Sequence, residues 1–439
     1  MVFGKQPHRI PLTSTDCFFL AMDYHHKKHR SENHICRYVI EVQGHIDERQ
    51  IQDHLRSNAK LHWLINLTIE KRFLKIPNWV SGSKNKITPV GLHNGPSESL
   101  KPLDGQVLDF DQHTPIRFDI IYHPENMSSL VMSWHHMLMD GQGAVTLLKE
   151  LFIDGMAATP FLEPQTKIKR SLKFQWEVIK LFLYHTRLFW TPFAYKFRTD
   201  YNAHRYTKAT HARLNVLKFD RDETEKIRSV GLQQSSSLSL SPYYLAHLAS
   251  SVKSLFDKKG RGVREFWLPI PQNLRKVGSV GAILGNQLTF LFYTIKGSEI
   301  ENFDSLLNKL SHQVNFQLRR QLPRAYDSLM SSFRRLPSRL YYQLIKGSRG
   351  HSIASFLMTM AVHHPNELSH VFDHRITDAV SIPPNTFPPG CTFAFMEFQG
   401  QLRVICVHDD GAWSREDIKF LKNTLYQKLL FPDIEEVRR

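Results

Sequence analysis

The spacing of apolar and polar positions changes along the chain between two periods, one that suits strands and one that suits helices. Ile35 to Gln43 (ICRYVIEVQ) is apolar and β-branched, interrupted only by Arg37, Glu41 and Gln43, and predicts a strand. Asp47 to Leu61 reads as a helix with an acidic first turn. Ile116 to His123 and Leu130 to Trp134 predict adjacent strands joined by a Pro124-Glu125-Asn126 turn, and Gly143 to Phe152 a helix with Val145, Leu148 and Phe152 on one face. The second half repeats this grammar. Ala212 to Phe219 predicts a strand, Arg221 to Gly231 and Pro242 to Phe256 helices, and Arg264 to Ile270 another strand. Thr392 to Phe398 and Leu402 to His408 form a hairpin pattern around Gln399-Gly400. Ser414 caps a last helix, with Glu416 and Asp417 in its first turn. The mixture predicts an α/β protein without internal repeats or low-complexity segments.

Neither a membrane span nor a secretory leader is predicted. Val277 to Ile295 carries three glycines and several polar residues, and reads as a glycine-rich loop followed by a buried strand, Leu288 to Ile295. The first residues hold only five consecutive apolar positions, Phe18 to Met22, too few for a signal-peptide core. Cys17, Cys36, Cys391 and Cys406 form no C-x-x-C pair, which argues against a disulfide scaffold and a structural zinc site. These features predict a cytoplasmic protein.

Charge changes the picture. The chain of 439 residues has a formal net charge of +16, which attracts anions such as nucleic acid, anionic lipid, phosphorylated cosubstrates or acidic carrier proteins. The excess concentrates in 167–198, where eight lysines and arginines face one acid, Glu177. Lys173, Glu177, Lys180 and Arg187 share one helical face, and the rest is rich in Phe, Trp, Leu and Ile. This pattern fits either a helix packed between two lobes or an interfacial helix at the inner face of a membrane. Without any recognisable nucleic-acid module, a nucleic-acid partner is not expected.

The sharpest chemical feature is His135-His136-Met137-Leu138-Met139-Asp140-Gly141, where an apolar strand ends and a helix begins. Its four fixed positions would arise by chance only about 0.003 times in a chain of this composition. A histidine at such a strand end suits a general base near neutral pH. Asp23, His25, His26 and His29 do not make a metal site, because Lys27, Lys28 and Arg30 would repel a cation; they read as a solvated loop. His363-His364 lacks a trailing Asp-Gly and reads as a strand end. No phosphate-binding or dinucleotide fingerprint is present.

This HHxxxDG motif resembles the signature of the acyltransferase superfamily that includes chloramphenicol acetyltransferase, nonribosomal peptide condensation domains and wax ester synthases. Leu268-Pro-Ile-Pro-Gln-Asn-Leu-Arg275 resembles the family's strand ending in arginine, and Leu284-Gly285-Asn286 its LGN element. The hairpin from Gly390 to His408 and the helix after Ser414 resemble the condensation-type ending. The DFGWG motif of the plant branch is absent.

The resemblance implies an α/β (α+β) fold of two chloramphenicol-acetyltransferase-like lobes, each a mixed sheet flanked by helices, with a tunnel between them. Residues 1–165 would form the N-terminal lobe, 166–211 a basic, aromatic helical connector and 212–439 the C-terminal lobe. It implies transfer of an acyl group from a thioester to an alcohol or amine, with His136 as general base. Acyl-coenzyme A or an acyl carrier protein would be the co-substrate, with no bound cofactor or metal. Asp140 would be structural and paired with Arg275, while His135 and Gly141 complete the motif. Asn286 and Thr359 are the positions expected to contact the donor or the intermediate. The alternative is an inactive family member that binds a lipid or a carrier protein; the intact His136 and Asp140 speak against it.

Overall fold

The computed structural model describes residues 9–29, 34–82, 85–96, 103–156, 172–190, 212–235, 239–275, 282–346, 353–386 and 389–432, with side chains of the 172–190 helix up to Leu181. Four sheets organise the described residues. The largest has six strands in the order His370–Val371, His374–Ile382, Ile35–Gln43, Met127–His135, Ile116–His123 and Val90–Asn94. A four-stranded sheet orders Leu357–Met360, Cys391–Phe398, Gln401–Asp409 and Ala212–Lys218. Glu265–Asn273 and Leu288–Lys296 form an antiparallel pair in register from Leu288 opposite Asn273 to Lys296 opposite Glu265. Arg9–Pro11, Asn78–Ser81 and Leu67–Glu70 make a small third layer at the N-terminal end.

The large sheet is not built from one continuous stretch of sequence. His374–Ile382, from the region expected to be the C-terminal lobe, pairs antiparallel with Ile35–Gln43 of the N-terminal lobe. The 1–165 and 212–439 segments are therefore joined by strand exchange as well as by a connector. Of 166–211, the helix Leu172–Trp190 is described; 166–171 and 191–211 lie outside the described residues, as do Val277 to Gly281 of the glycine-rich loop.

Both faces of the large sheet are covered, which explains why its strands read as nearly continuous apolar runs. Along Ile35–Gln43 successive side chains point to opposite faces. Cys36, Tyr38, Ile40 and Val42 join the first hydrophobic core, whereas Val39 joins a layer shared with the four-stranded sheet. That layer packs Val39, Val131 and Ile382 against Ala394, Met396 and Ile405. A separate core lies beneath the helix Ser241–Lys258 and the strand pair Glu265–Asn273 and Leu288–Lys296.

Three local readings change. The helix expected over Asp47–Leu61 is two helices, Glu48–Ser57 and Ala59–Ile65, because the Asn58 side chain turns back to accept the Leu61 amide at 2.9 Å and caps the second. The helix after the motif starts at Gly141 with Asp140 as its cap. Asp23, His25, His26 and His29 lie on a helix, Ser14–His29, and not in a solvated loop. Asp23 and His26 are buried in it, since partners distant in sequence surround them.

Candidate active site

The motif occupies the turn that links strand Met127–His135 to helix Gly141–Phe152, so it sits at the end of a central strand of the large sheet. His135, the last strand residue, is fully buried. Its Nε2 donates to Asp23 Oδ1 at 3.0 Å, and its Nδ1 accepts the Met137 amide at 3.3 Å. Burial pushes the Asp23 carboxyl up, but the His135 hydrogen bond and the charge of Lys27, 2.8 Å away, outweigh it and hold Asp23 below the ordinary carboxylate range. With both nitrogens engaged, His135 fastens the helix Ser14–His29 to the motif.

Asp140 is likewise engaged on every side. Its Oδ1 caps the following helix by accepting the Gly143 amide at 3.0 Å. Its Oδ2 accepts from Arg275 Nη1 at 2.5 Å and from the Gln287 amide at 3.0 Å. Arg275 also donates to the Ala282 carbonyl at 3.3 Å. The structure thus joins the sequence-distant Asp140 and Arg275 in a buried ion pair. The capped helix packs closely here: a Cβ at Gly143 would lie 2.4 Å from the Ile283 carbonyl oxygen. Gly141 lines the cavity, and a Cβ there would press on Val362 at 3.2 Å.

His136 faces a different environment. Its backbone amide donates to the His34 carbonyl at 2.9 Å, and its carbonyl accepts from Asn286 Nδ2 at 2.8 Å, so the main chain is held from both sides. The imidazole stacks on Phe19 with centroids 4.0 Å apart, and lies parallel to the His34 ring at 5.2 Å. Its Nδ1 is buried without a hydrogen-bond partner. Burial lowers its pKa to about 4, with the backbone carbonyl, the Asp140 charge and Asn286 only partly opposing. The ring is therefore neutral at physiological pH and able to accept a proton.

Asn286 is built into the motif turn. It is buried, is absent from the cavity wall and binds inward. Besides His136, its Nδ2 reaches the Met137 carbonyl at 3.2 Å and Asp16 Oδ1 at 2.9 Å, and its amide donates to the same Asp16 oxygen at 2.8 Å. Asp16 in turn accepts the Thr13 amide at 2.9 Å. Asn286 Nδ2 thus holds the main chain of the His136 turn, while its Oδ1 is buried without a hydrogen-bond partner among the described residues. Thr359, on strand Leu357–Met360, does line the cavity.

That cavity has a volume of about 400 Å³ and is lined by aromatic and by polar side chains around His136. Rings follow one another from His136 through Phe19, Phe18, Phe290 and Phe292 to Tyr326, with neighbouring centroids 4.0 to 6.2 Å apart. His34, Ser381, Thr386 and Thr392 add polar groups, with His34 Nε2 and Thr386 Oγ1 3.3 Å apart and the His34 ring 5.2 Å from Phe19. Burial keeps His34 well below the usual histidine range, so it too is neutral. His34 and Thr386 escape sequence reasoning because no motif surrounds either, and 352 positions separate them. Among the described residues no group of His, Cys, Asp and Glu could hold a metal ion.

No protein-family model matches the sequence, and no curated protein matches it. Solved structures do. The chain is similar to the trichothecene 15-O-acetyltransferase of Fusarium sporotrichioides, with TM-score 0.69, 9% identity, and 96% of this chain and 95% of that one covered. It is similar to the first condensation domain of the calcium-dependent antibiotic synthetase, with TM-score 0.66, 13% identity and 97% of each chain covered. Polyketide synthase associated protein 5 from Mycobacterium tuberculosis matches with TM-score 0.58 and 15% identity over 90% of this chain and 94% of that one. The chain has the two-lobed fold that condensation domains share with acetyltransferases of the chloramphenicol-acetyltransferase type.

Proposed function

We propose that the protein transfers an acyl group from a thioester, carried by coenzyme A or by an acyl carrier protein, to an alcohol or amine. The observation that carries this reading is a neutral imidazole, His136, on the wall of a cavity lined by aromatic and polar side chains. The acceptor's O–H or N–H gives its proton to His136 as the oxygen or nitrogen attacks the thioester carbonyl. Nε2 is assigned as the base atom because Nδ1 is buried. The tetrahedral intermediate collapses by breaking its C–S bond, and the imidazolium returns the proton to the departing thiolate. A base so positioned supplies roughly 10²–10⁴-fold in rate. The aromatic wall suits the acyl chain, and the polar wall with His34, Thr386 and Ser381 suits the acceptor. Thr359 is the wall residue assigned to the donor or the intermediate. Asp140 and Arg275 act as scaffold. Free-thiol release from a series of short- to long-chain acyl-coenzyme A donors with pooled alcohols and amines tests the reading. Failure with coenzyme A donors but success with loaded carrier protein would identify the carrier as donor, and failure with both would leave a fold kept for binding.

The pH profile follows from the imidazole. A base must be neutral to act, and the pKa near 4 keeps His136 neutral above about pH 5. The rate is therefore expected to stay level from about pH 5 to 8 and to fall tenfold per unit below about 4. Initial rates with an acceptor that does not titrate in this range check it. A fall with an apparent pKa near the ordinary ~6.5 would show that burial does not control the group.

Replacing Asn286 by alanine removes the clamp on the His136 and Met137 carbonyls. Turnover is expected to drop about 10–100-fold with little change in KM, because the base shifts while the cavity wall stays intact. Steady-state kinetics separate the two constants, and an unchanged kcat would remove Asn286 from any positioning role.

A further inference from the structure

The aromatic wall ends beneath helix Leu172–Trp190. Phe174, Val178 and Leu181 of that helix pack on Ala325, Tyr326 and Leu329, so Tyr326 belongs both to the cavity and to the seat of the helix. On the opposite face of the helix, Leu172, Trp176 and Ile179 have no such seat among the described residues and are 85%, 56% and 47% exposed. A second helix at the same cavity, Ser338–Lys346, buries Tyr341 and Tyr342 and leaves Leu340 and Leu344 on the surface. Leu344 is exposed and also lines the cavity, which puts it at the rim.

Charge surrounds these apolar side chains with one sign. Between 316 and 345 stand six arginines and one acid, Asp327, which is part-buried and accepts the Ser14 hydroxyl. Every exposed charged side chain in 172–181 and 316–345 is a lysine or an arginine. One group of exposed large apolar residues lies on a helix that lines the cavity, the other on a helix packed behind its wall residue Tyr326. Both stand among exposed basic residues, with half-buried Glu177 paired to Lys180. Together they match the physical requirements of a bilayer surface. Aliphatic and Trp side chains enter the headgroup boundary while lysine and arginine meet anionic lipid.

We propose that the protein docks on anionic membranes through the outer faces of helices Leu172–Trp190 and Ser338–Lys346, with the rim of the aromatic side of the cavity turned to the lipid. An acidic carrier protein would satisfy the arginines but gives no reason for exposed Trp176, Ile179 and Leu340. Docking does not depend on the acyl-transfer reading; if both hold, the acyl chain or a lipid acceptor reaches His136 along the aromatic wall.

Flotation of the full chain with vesicles, without substrate, tests it. Binding is expected to be at least tenfold stronger to phosphatidylcholine vesicles containing about 30% phosphatidylglycerol than to pure phosphatidylcholine. Raising the salt from about 0.1 to about 0.5 M should release most of the protein. Trp176→Gln with Ile179→Gln should weaken binding about tenfold or more, through lost apolar burial. Arg320→Gln with Arg324→Gln and Arg339→Gln should weaken binding to anionic vesicles about 100-fold, at roughly fivefold per charge. All five side chains are exposed, so melting temperatures should match the parent and separate lost docking from lost folding. Equal binding to both kinds of vesicle, or binding unchanged in either variant, would overturn the proposal. So would absence of vesicle binding together with arginine-dependent capture of a purified acidic acyl carrier protein. Because no substrate is present, none of these outcomes bears on transfer, which the His136→Ala comparison decides.

Discussion

Alanine at position 136 is expected to slow thiol release by about 10²–10⁴-fold while the protein stays folded. The imidazole alone is lost. The backbone amide and carbonyl at 136, which bind the His34 carbonyl and the Asn286 side chain, are present in alanine too. The side chain contributes no hydrogen bond from Nδ1, and its packing on Phe19 and His34 is the part of the fold that is forfeited. A truncation at a partly exposed cavity wall costs about 1 kcal/mol, small against the stability of a chain with two large cores. Thiol release and thermal unfolding measured side by side on parent and variant check both halves. A variant with parental rates would remove His136 from the chemistry, whereas a variant that loses its cooperative transition would mean that the ring serves the fold. Reduced transfer with an unshifted transition is the outcome that the general-base reading requires.

Legibility of the sequence depended on how local each cause was. The motif turn could be read because the strand that ends at His135, the cap at Asp140 and the helix that follows are set by neighbouring residues. The hairpin around Gln399-Gly400 is local in the same way, and both residues have positive φ, +48° and +77°. Helix Ser14–His29 could not be read because it is covered on several sides. Cys17, Leu20, Ala21 and Met22 enter the first core, while Asp23 is buried against His135, 112 positions away. A helix surrounded in this way has no polar face, so its sequence lacks the 3.6-residue alternation and its polar residues look solvated. The exchange of strand His374–Ile382 into the other lobe is a matter of topology, and alternation within a strand does not name its partner. The same holds for the site. The resemblance identified Arg275 and Asn286 as elements, but it could not show that Asn286 clamps the main chain of the motif turn, because its partners lie 149 to 270 positions away.

Separating cap from charge at Asp140 gives the largest expected effect on stability. The carboxylate has two duties: Oδ1 caps helix Gly141–Phe152, and Oδ2 pairs with Arg275 and the Gln287 amide. Asparagine retains the cap, since it ranks with aspartate at that position, and loses the charge. Alanine loses both. Arg275→Met removes the cation and leaves Asp140 buried, and an uncompensated buried charge costs about 3–5 kcal/mol. Asp140→Asn leaves the equally buried Arg275 cation unpaired, so Asp140→Asn and Arg275→Met are both expected at about the 3–5 kcal/mol level, with Asp140→Ala about 1 kcal/mol beyond Asp140→Asn for the lost cap. The double variant Asp140→Asn with Arg275→Met should be more stable than the two single effects predict when added, because no unpaired charge remains. Urea unfolding of the four variants measures these differences. All should also lose turnover with little change in KM, because the Asp140–Arg275 pair fixes the 282–287 loop whose Asn286 holds the His136 main chain. Additive single effects in the double variant would show that the two side chains contribute independently. Their buried contact would then be a consequence of the fold and not one of the interactions that hold the motif turn in place.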